Sequence, residues 1–178
     1  MVGVVVVHYR TPELAIRCIE SLSTASSVED IVVVDTSHGK NEMTIGAKFK
    51  IVTMANNRGF GAAVNRGVNE VRGDYLLFTN ADVYFEPGAV DCLADALGDN
   101  RNWALVAPLL RDLTGKVQES SFKFPGFRQS LIDLLPVPRW IRQSRFNGRY
   151  PEEWATTRSF KIDYPLGACL MIRREAFA

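Results

Sequence analysis

The sequence predicts an α/β fold in which a mostly parallel sheet is flanked by helices. Residues 2–7 form a run dominated by valine, which is typical of a strand buried on both faces. Further strand-like runs then alternate with segments whose apolar residues recur at helical spacing. This alternation favours parallel strands, because a parallel pair needs a long crossover connection that a helix usually supplies.

Each element of the N-terminal part has its own local signal. Thr11 and Pro12 open the first helix, because proline in a first turn removes no helical hydrogen bond. The apolar residues of this helix recur on one face: Leu14, Ala15, Cys18, Ile19 and Leu22. The other predicted elements are strands over residues 31–34, 49–54 and 76–79, and helices over residues 58–71 and 89–97.

Beyond Trp103 the pattern changes to a mixed, loop-rich part. Residues 103–110 are a candidate strand, and residues 163–173 form a second strand-like apolar stretch. Residues 111–161 lack a regular period and include prolines at positions 125, 136, 138 and 151. We therefore expect one α/β layer that carries an irregular second part, within a single domain.

Composition excludes several classes of protein. The chain has 178 residues, 47% of them hydrophobic and 23% charged, which suits one globular domain. Its formal net charge of +1 argues against general nucleic-acid binding, which needs a strongly basic surface. No apolar run reaches the roughly 18 residues of a membrane span, and the N-terminus lacks the features of a signal peptide.

The three cysteines bear on the compartment. Cys18, Cys92 and Cys169 are odd in number, widely spaced and set among apolar neighbours. This arrangement is typical of buried thiols in a reducing compartment, not of a disulfide framework. No cysteine lies near His8 or His38 with zinc-ligand spacing. We therefore expect a cytoplasmic location.

Polar clusters follow three of the predicted strands. They are His8-Tyr9-Arg10, Asp35-Thr36-Ser37 and Asn80-Ala81-Asp82. In an open α/β sheet, ligands bind outside the carboxyl ends of the strands, where the strand order reverses. The sequence therefore predicts a ligand crevice at this edge of the sheet.

Asn80-Ala81-Asp82 is the cluster that best fits a metal. Its two short polar side chains are one residue apart, so an extended backbone aims them the same way. A carboxylate there suits Mg²⁺ or Mn²⁺, which prefer oxygen ligands and share them with substrate phosphates. An Asx-turn that merely closes the strand explains the same letters.

A glycine-rich stretch, NNRGFGAAVNRG, covers residues 56–67. A dinucleotide site would need its glycine motif straight after the first strand, where this chain has HYRTPE instead. Val64 also stands where that motif needs its third small residue, so dinucleotide binding is weakly supported. The stretch suits a loop that presents backbone N–H groups to a phosphate, or a plain connection with unusual backbone angles.

Two further features leave alternatives open. Asp35, at a strand end, suits either hydrogen bonding to a base or ribose, or capping of the following turn. Residues 139–149 contain four arginines and no acid, which suits an anionic lipid head group or a phosphorylated acceptor. A solvated face is the commoner explanation of such a run. Single-stranded RNA is a third, which the neutral chain disfavours.

Taken in order, five segments resemble the family 2 glycosyltransferases of GT-A fold, and especially their rhamnosyltransferase branch. They are VVVVHYRTPELAIRCIESL, IVVVDTS, NNRGFGAAVNRGV, GDYLLFTNADV and YPLGACLMIRREAF. The resemblance implies a Rossmann-like sheet in one GT-A domain over 1–178. Its nucleotide-binding half is expected over 1–100, and a partial acceptor-binding half over 101–178.

The resemblance also implies the ligands and the residues that bind them. The donor is expected to be a nucleoside-diphosphate sugar, either dTDP-rhamnose or a UDP-sugar, and the acceptor a saccharide or a lipid-linked saccharide. Asp82 is the implied ligand of Mn²⁺ or Mg²⁺, and Gly167 and Ala168 are implied to line the donor-sugar and acceptor site. The implied nucleotide-sugar-binding residues are His8, Tyr9, Arg10, Asp35, Asn57, Gly59, Asn65, Asn80 and Asp82.

The chain departs from the family pattern at several positions. Asn80 replaces the first aspartate of the metal motif, and Val64 stands where many relatives have arginine. Thr36 replaces the usual asparagine, and Tyr164 stands where this branch often has tryptophan.

The largest departure concerns the catalytic base. Relatives continue beyond the RREAF stretch into the segment that carries this acid, so we expect the base to be absent from these residues. The expected result is donor binding with little or no transfer. Two other classes stay open: a non-catalytic nucleotide-sugar or carbohydrate-binding module, and a dinucleotide-dependent oxidoreductase. Contact of residues 139–149 with the inner face of the cell membrane is a further expectation.

Overall fold

The structure is a computed structural model. It describes residues 1–37, 49–126, 134–136 and 158–177, with the single positions 138, 148, 150 and 156. Contacts divide the chain into two compact units, Met1–Pro108 with Gly167–Ala178, and Leu109–Leu166. The division into a nucleotide-binding half over 1–100 and an acceptor-binding half over 101–178 stays a prediction.

Strands and helices alternate through the first unit. In chain order they are β1 (Val2–His8), α1 (Pro12–Leu22), β2 (Val28–Asp35), β3 (Lys50–Thr53), α2 (Phe60–Val68), β4 (Tyr75–Asn80), α3 (Ala89–Asp99), β5 (Leu105–Val106), β8 (Cys169–Arg173) and α4 (Arg174–Phe177). The second unit contributes β6 (Ser121–Phe122) and β7 (Tyr164–Pro165).

The first unit is built on a six-stranded sheet with the order β3-β2-β1-β4-β8-β5. Strands β3, β2, β1 and β4 run parallel, with Val4 of β1 opposite Ile31 on one side and Leu77 on the other. Strand β8 pairs antiparallel with both β4 and β5. The prediction of a mostly parallel sheet flanked by helices is confirmed.

Helices cover both faces of this sheet. The connections β1-α1-β2 and β3-α2-β4 step along the sheet in opposite directions, so right-handed crossovers place α1 and α2 on opposite faces. On the α2 face, Val5, Val32 and Val34 form a core with Ala63 and Val64. The valine run that predicted β1 is therefore buried because helices pack on both of its faces.

Gly67 sets how closely α2 approaches the sheet. A Cβ atom at this position would lie 2.4 Å from Cγ1 of Val5 and 2.9 Å from Cγ2 of Val34. Real Cβ contacts are not that short, so any larger residue would push α2 away from β1 and β2. The distance between α2 and the sheet at this end of the helix thus depends on this glycine.

Several predicted boundaries were too generous. Helix α2 begins at Phe60, not at residue 58, because Gly59 takes φ 88° and is not helical. The candidate strand over 103–110 shrinks to Leu105–Val106. The apolar stretch 163–173 is two strands, because a turn at Gly167 and Ala168 separates β7 from β8.

The second unit contains a small antiparallel pair. Phe122 of β6 lies opposite Tyr164 of β7, and their rings stack with centroids 5.4 Å apart. A separate bridge joins Arg111 and Val117 around a turn in which the Asp112 carboxylate accepts the N–H of Thr114. Over residues 111–126 this part is irregular, as the sequence predicts, and most of residues 127–157 lie outside the described residues.

The burial of the three cysteines agrees with the prediction only in part. Cys18 and Cys169 are buried, as predicted, but Cys92 is exposed and that prediction was wrong. In α3 the buried residues are Val90, Ala94 and Leu97, so residue 92 falls on the solvent side of the helix.

None of the helices in the described part of the chain is long and apolar enough to cross a membrane. Apart from Gly148, the arginine-rich segment 139–149 lies outside the described residues.

Candidate functional site

The three polar clusters predicted from the sequence lie at one edge of the sheet. The register places His8 opposite Asp35 across the β1–β2 pair, and Val7 opposite Asn80 across the β1–β4 pair. Strand order reverses at β1, since β2 and β3 follow on one side and β4 on the other. This switch point is where open α/β sheets bind ligands.

A pocket of about 360 Å³ opens on the β1–β4 side of this edge. Its volume is within the usual range for a small-molecule site. Residues from the ends of β1, β2 and β4 and from the starts of α1 and α2 line it: Val7, Tyr9, Thr11, Leu14, Thr36, Asn57, Gly59, Phe60, Asn80, Ala81 and Asp82. Five predicted site residues, Tyr9, Asn57, Gly59, Asn80 and Asp82, are thus brought together.

The turn after β4 presents Asp82 to this pocket. The backbone N–H of Asn80 donates to the Ala168 carbonyl (2.9 Å), and that of Ala81 donates to the Val7 carbonyl (3.0 Å). Ala81 is buried, whereas Asp82 is exposed. Within the described residues, no hydrogen bond or ion pair engages the Asp82 carboxylate. The turn is therefore held by its backbone, and the carboxylate is available to a ligand.

The start of α2 forms the opposite wall. The Asn57 side chain accepts a hydrogen bond from the Gly59 N–H (2.9 Å), and Gly59 takes φ 88°, which favours glycine. No side chain caps the helix, so its first N–H groups are left for solvent or a ligand. A helix N-terminus carries partial positive charge and favours an anion such as phosphate.

The β1–β2 side of the same edge is closed. Thr36 donates to the His8 carbonyl through both its N–H (3.0 Å) and its hydroxyl (2.9 Å). The Ser37 N–H donates to Oδ1 of Asp35 (2.7 Å), and the Arg10 N–H donates to Oγ of Ser37 (2.7 Å). His8 and Asp35 are buried and do not line the pocket. Their assigned binding roles stay predictions.

The His8 imidazole has an unusual environment. Its Nδ1 accepts a weak hydrogen bond from the Thr11 N–H (3.4 Å), which places the proton of the neutral ring on Nε2. Nε2 is buried without a hydrogen-bond partner and lies 4.0 Å from Oδ1 of Asp35. Burial lowers the pKa of His8, and the Asp35 charge opposes this in part. The ring is therefore neutral near pH 7.

The other predicted site residues do not line the pocket. Arg10 is exposed and its guanidinium lies over the Tyr9 ring, 5.1 Å from the centroid. Asn65 is exposed on α2, where its carbonyl accepts a bond from the Asn69 amide. Gly167 and Ala168 directly precede β8. The Ala168 carbonyl accepts a hydrogen bond from the Asn80 N–H.

Two buried thiols lie close to the end of β4. The Sγ of Cys18 is 3.9 Å from the Asn80 carbonyl oxygen. Burial raises the pKa of Cys18 to about 12, and the nearby Cys169 and Asp82 act in the same direction. Burial also raises the pKa of Cys169 to about 12, against a hydrogen bond with Thr79. Neither thiol is a nucleophile at neutral pH, because only the thiolate reacts.

Sequence reasoning did not assign every residue of the pocket. Thr11, Leu14 and Phe60 line it but were assigned only to helices. Thr11 and Phe60 each lie within two residues of a predicted site residue, so position next to a strand or loop end is the signal that could have found them. In the described ranges, no three His, Cys, Asp or Glu side chains cluster closely enough to hold a metal by themselves.

Comparison with known proteins identifies the family. The model of the family described as "Glycosyl transferase family 2" matches residues 3–178. The chain belongs to glycosyl transferase family 2. The resemblance drawn from the five segments is thereby confirmed.

A curated relative of this family 2 chain comes from Mycobacterium tuberculosis. It is an N-acetylglucosaminyl-diphospho-decaprenol L-rhamnosyltransferase, 27% identical over 191 residues. The alignment covers 98% of this chain, which spans 62% of the length of that relative. A dolichol-phosphate mannosyltransferase of Mycosarcoma maydis is 30% identical over 92 residues, which cover 48% of this chain and 31% of that protein.

Solved structures share the fold. The mannosyltransferase PcManGT from Pyrobaculum calidifontis, in complex with GDP-Man and Mn²⁺, has a TM-score of 0.61 at 15% identity. That match covers 98% of this chain and 44% of the other. S. aureus TarS 1-349 in complex with UDP-GlcNAc has a TM-score of 0.55 at 18% identity, over 68% of this chain and 38% of the other. The predicted GT-A fold is confirmed.

Proposed function

We propose that this chain binds a nucleoside-diphosphate sugar together with a divalent ion and transfers the sugar, with inversion, to a saccharide or lipid-linked acceptor. One observation carries the proposal: the pocket at the switch point gathers Tyr9, Asn57, Gly59, Asn80 and Asp82 from three separate parts of the chain. These are side chains and backbone groups suited to a nucleotide and its phosphates.

The comparisons support a nucleotide sugar as the ligand and bear on which sugar it carries. Two structural neighbours were solved with nucleotide sugars, GDP-Man and UDP-GlcNAc. The Mycobacterium relative is named for transfer of rhamnose to a lipid diphosphate sugar. We therefore favour dTDP-rhamnose as the donor, with a UDP-sugar second, and a lipid-linked saccharide as the acceptor.

The walls of the pocket suggest how the nucleotide lies. The uncapped start of α2 suits the diphosphate, because its free N–H groups and partial positive charge favour an anion. Tyr9 is exposed at the pocket, and a base can stack on the face of its ring that the Arg10 guanidinium does not cover. Asn57 orders the loop that leads into α2, through its bond to the Gly59 N–H.

The residues present fit a divalent ion that is shared with the substrate. Asp82 supplies one carboxylate whose oxygens have no described partner, and Asn80 can add an amide oxygen. Mg²⁺ and Mn²⁺ accept such a site, because they bind one or two protein oxygens and complete their ligands with phosphate oxygens and water. When bound, the ion offsets the negative charge that develops on the departing diphosphate. A zinc ion held only by protein side chains does not fit the described residues.

The proposed transfer exchanges one bond for another at the anomeric carbon. The bond between that carbon and the diphosphate oxygen breaks, while the acceptor hydroxyl oxygen forms a new bond from the opposite face. The hydroxyl proton passes to a general base, a group that is typically worth about 10²- to 10⁴-fold in rate. We assign this role to no described residue.

Thermal unfolding in the presence of nucleotides tests donor binding. The panel is dTDP, UDP, GDP, ADP and NADH, each with Mn²⁺ and with EDTA. A ligand at 100 times its dissociation constant stabilises the fold by about 2.7 kcal/mol, a shift of several degrees for a domain of this size. We expect dTDP or UDP with Mn²⁺ to give the largest shift. No shift with any nucleoside diphosphate would refute the proposal, and a preference for NADH with EDTA would favour an oxidoreductase.

Product analysis tests transfer and inversion. The chain is incubated with dTDP-rhamnose, Mn²⁺ and a lipid-linked N-acetylglucosaminyl diphosphate, and the product is separated and examined by NMR. An anomeric configuration opposite to that of the donor supports inversion, and retention contradicts it. Donor binding with little or no product is expected if the catalytic base is missing from these residues. Absence of product with a longer gene product as well would favour the non-catalytic binding module.

A further inference from the structure

Arg10 has a strained backbone next to the pocket. It takes φ 56°, and it is the one residue other than glycine with a positive φ in the described part of the chain. For a residue with a Cβ atom this conformation is unfavourable, and such outliers persist where the surrounding structure enforces them. Strained residues of this kind cluster at functional sites, which makes Arg10 a candidate for a functional role.

The end of β2 enforces this conformation. The Arg10 N–H donates to Oγ of Ser37 (2.7 Å), and the Ser37 N–H donates to Oδ1 of the buried Asp35 (2.7 Å). The backbone of Arg10 is thus tied to the closed β1–β2 side of the edge. Its side chain is exposed.

The Arg10 guanidinium is also held in place. It lies over the ring of Tyr9, 5.1 Å from the centroid, and Tyr9 lines the pocket. Arg66 and Arg72 each pair with a carboxylate, but no carboxylate of the described residues lies within ion-pair distance of Arg10. Arg10 is therefore an oriented cation beside the pocket with its charge available to a ligand.

The negative charge of the pocket with a bound nucleotide favours such a cation. Asp82 is the one formally charged side chain among the residues that line it in the described structure, and it is negative. A nucleoside diphosphate brings at least two further negative charges. One divalent ion leaves this set negative, and the ion itself is held by a single carboxylate because Asn80 is uncharged.

We propose that the Arg10 guanidinium binds the phosphate groups of the nucleotide and that the site therefore keeps part of its affinity for a nucleoside diphosphate without a divalent ion. This inference rests on the proposed function. Arginine suits the role because its planar donors match phosphate oxygens in pairs.

Calorimetric titration with dTDP and with thymidine, each with Mn²⁺ and with EDTA, tests this proposal. The variants are Arg10→Asn, which removes the charge but tolerates a positive φ, and Arg10→Lys, which keeps the charge. In EDTA, the unmodified chain is expected to bind dTDP, and Arg10→Asn to bind it about tenfold more weakly. Arg10→Lys should recover only part of this loss, because it keeps the charge but not the paired donors. Thymidine binding, followed by ligand-observed NMR, should not change.

Arg17→Gln is the matched control, since Arg17 is an exposed arginine of α1 that does not line the pocket. An equal loss in Arg17→Gln would mean that only net charge matters and would overturn the proposal. An equal loss of thymidine binding in Arg10→Asn would also overturn the proposal, because it would assign Arg10 to the base. If the unmodified chain binds dTDP only with Mn²⁺, the proposal for Arg10 is overturned but the proposed function is not. Absence of dTDP binding under both conditions would refute the proposed function itself.

Discussion

The two sides of the carboxyl end of β1 have the same kinds of residue but opposite structures. Towards β2, His8 and Asp35 are buried, and hydrogen bonds from Thr36 and Ser37 close the edge. Towards β4, the edge opens into a pocket, and Asp82 is exposed with its carboxylate free of described partners. Each side contributes an aspartate to a strand end, but only one of them faces a cavity.

The difference follows from the order of the strands. Helix α1 connects β1 to β2 on one face, whereas α2 approaches β4 from the other face, so the chain leaves the edge in two directions between β1 and β4. Polar residues on the β2 side then hydrogen-bond to each other or to the end of β1, and of these only Thr36 also lines the pocket. Those on the β4 side meet water or a ligand. Whether a strand-end aspartate is buried or open to a cavity therefore depends on its neighbours in space.

Removing the charge of Asp82 is the strongest way to break this comparison. Asp82→Asn should weaken Mn²⁺-dependent binding of dTDP or UDP by about 100-fold. A unit charge pair about 4 Å apart is worth roughly 4 kcal/mol at an effective dielectric of 20, and solvent around this exposed carboxylate screens part of that energy. The free energy of unfolding should change by less than about 0.5 kcal/mol, because the side chain is exposed and lacks described partners. Titration calorimetry and urea unfolding measure the two effects.

Asp95→Asn is the matched control for Asp82→Asn, because Asp95 is an exposed aspartate on α3 away from the pocket. It should leave both binding and stability unchanged. Unaltered affinity in Asp82→Asn would remove Asp82 from the site.

A substitution that moves α2 away from the sheet should disturb the pocket between β1 and β4. Gly67→Ala places a Cβ atom 2.4 Å from Val5, so we expect a loss of about 1–3 kcal/mol in the free energy of unfolding and weaker nucleotide binding. Gly61→Ala, on the same helix, meets no atom within 4 Å and should be neutral or stabilising by up to about 1 kcal/mol. Urea unfolding of both variants is the measurement, and equal stability of the two would contradict the packing described.

Asp35→Asn tests the closed side. The change removes the charge that accepts the Ser37 N–H and that faces Nε2 of His8. We expect a loss of about 1–2 kcal/mol in the free energy of unfolding, because hydrogen bonds to charged groups are worth more than neutral ones. A stability cost in Asp35→Asn but not in Asp82→Asn would sharpen the comparison. The reverse pattern would contradict it.

His8 should make stability depend on pH. Its pKa is lowered in the folded chain, so below about pH 6.5 the unfolded chain binds a proton that the folded chain does not. The free energy of unfolding should then fall as pH decreases, by at most about 1.4 kcal/mol at pH 5.5. Urea unfolding at pH 7.5 and 5.5 measures the effect.

His8→Gln should abolish this part of the pH dependence, and His38→Gln should leave it in place, since the chain has two histidines. A pH dependence that is the same in the unmodified chain and in His8→Gln would show that other groups cause it.

Much of the fold could be predicted because its signals are local. The valine run of β1, the proline that opens α1 and the helical spacing of α3 each depend on neighbours within one or two turns. The position of the pocket was also predictable, because parallel strands carry their carboxyl ends to one edge. Asn57 and Asp82 meet there although 24 residues separate them in the printed sequence.

Long-range pairing accounts for most of what could not be predicted. Strand β8 joins β4 in the antiparallel direction, and nothing near residues 163–173 specifies that partner. The burial of Asp35 depends on Ser37 and on the paired end of β1, whereas the same residue type at position 82 is exposed. Side-chain burial of this kind is a property of the assembled edge, so no window of the sequence contains it.

The hydrogen bond between the Asn80 N–H and the Ala168 carbonyl has a consequence for the growing polypeptide. During translation, β1, β2 and β4 leave the ribosome long before residue 168 does, and domains form as their segments become available. The turn that presents Asp82 then lacks this hydrogen bond until a partner 88 residues later in the chain has been synthesised. We expect nascent chains stalled before residue 168 to have much of their helical content but to bind a nucleotide weakly or not at all.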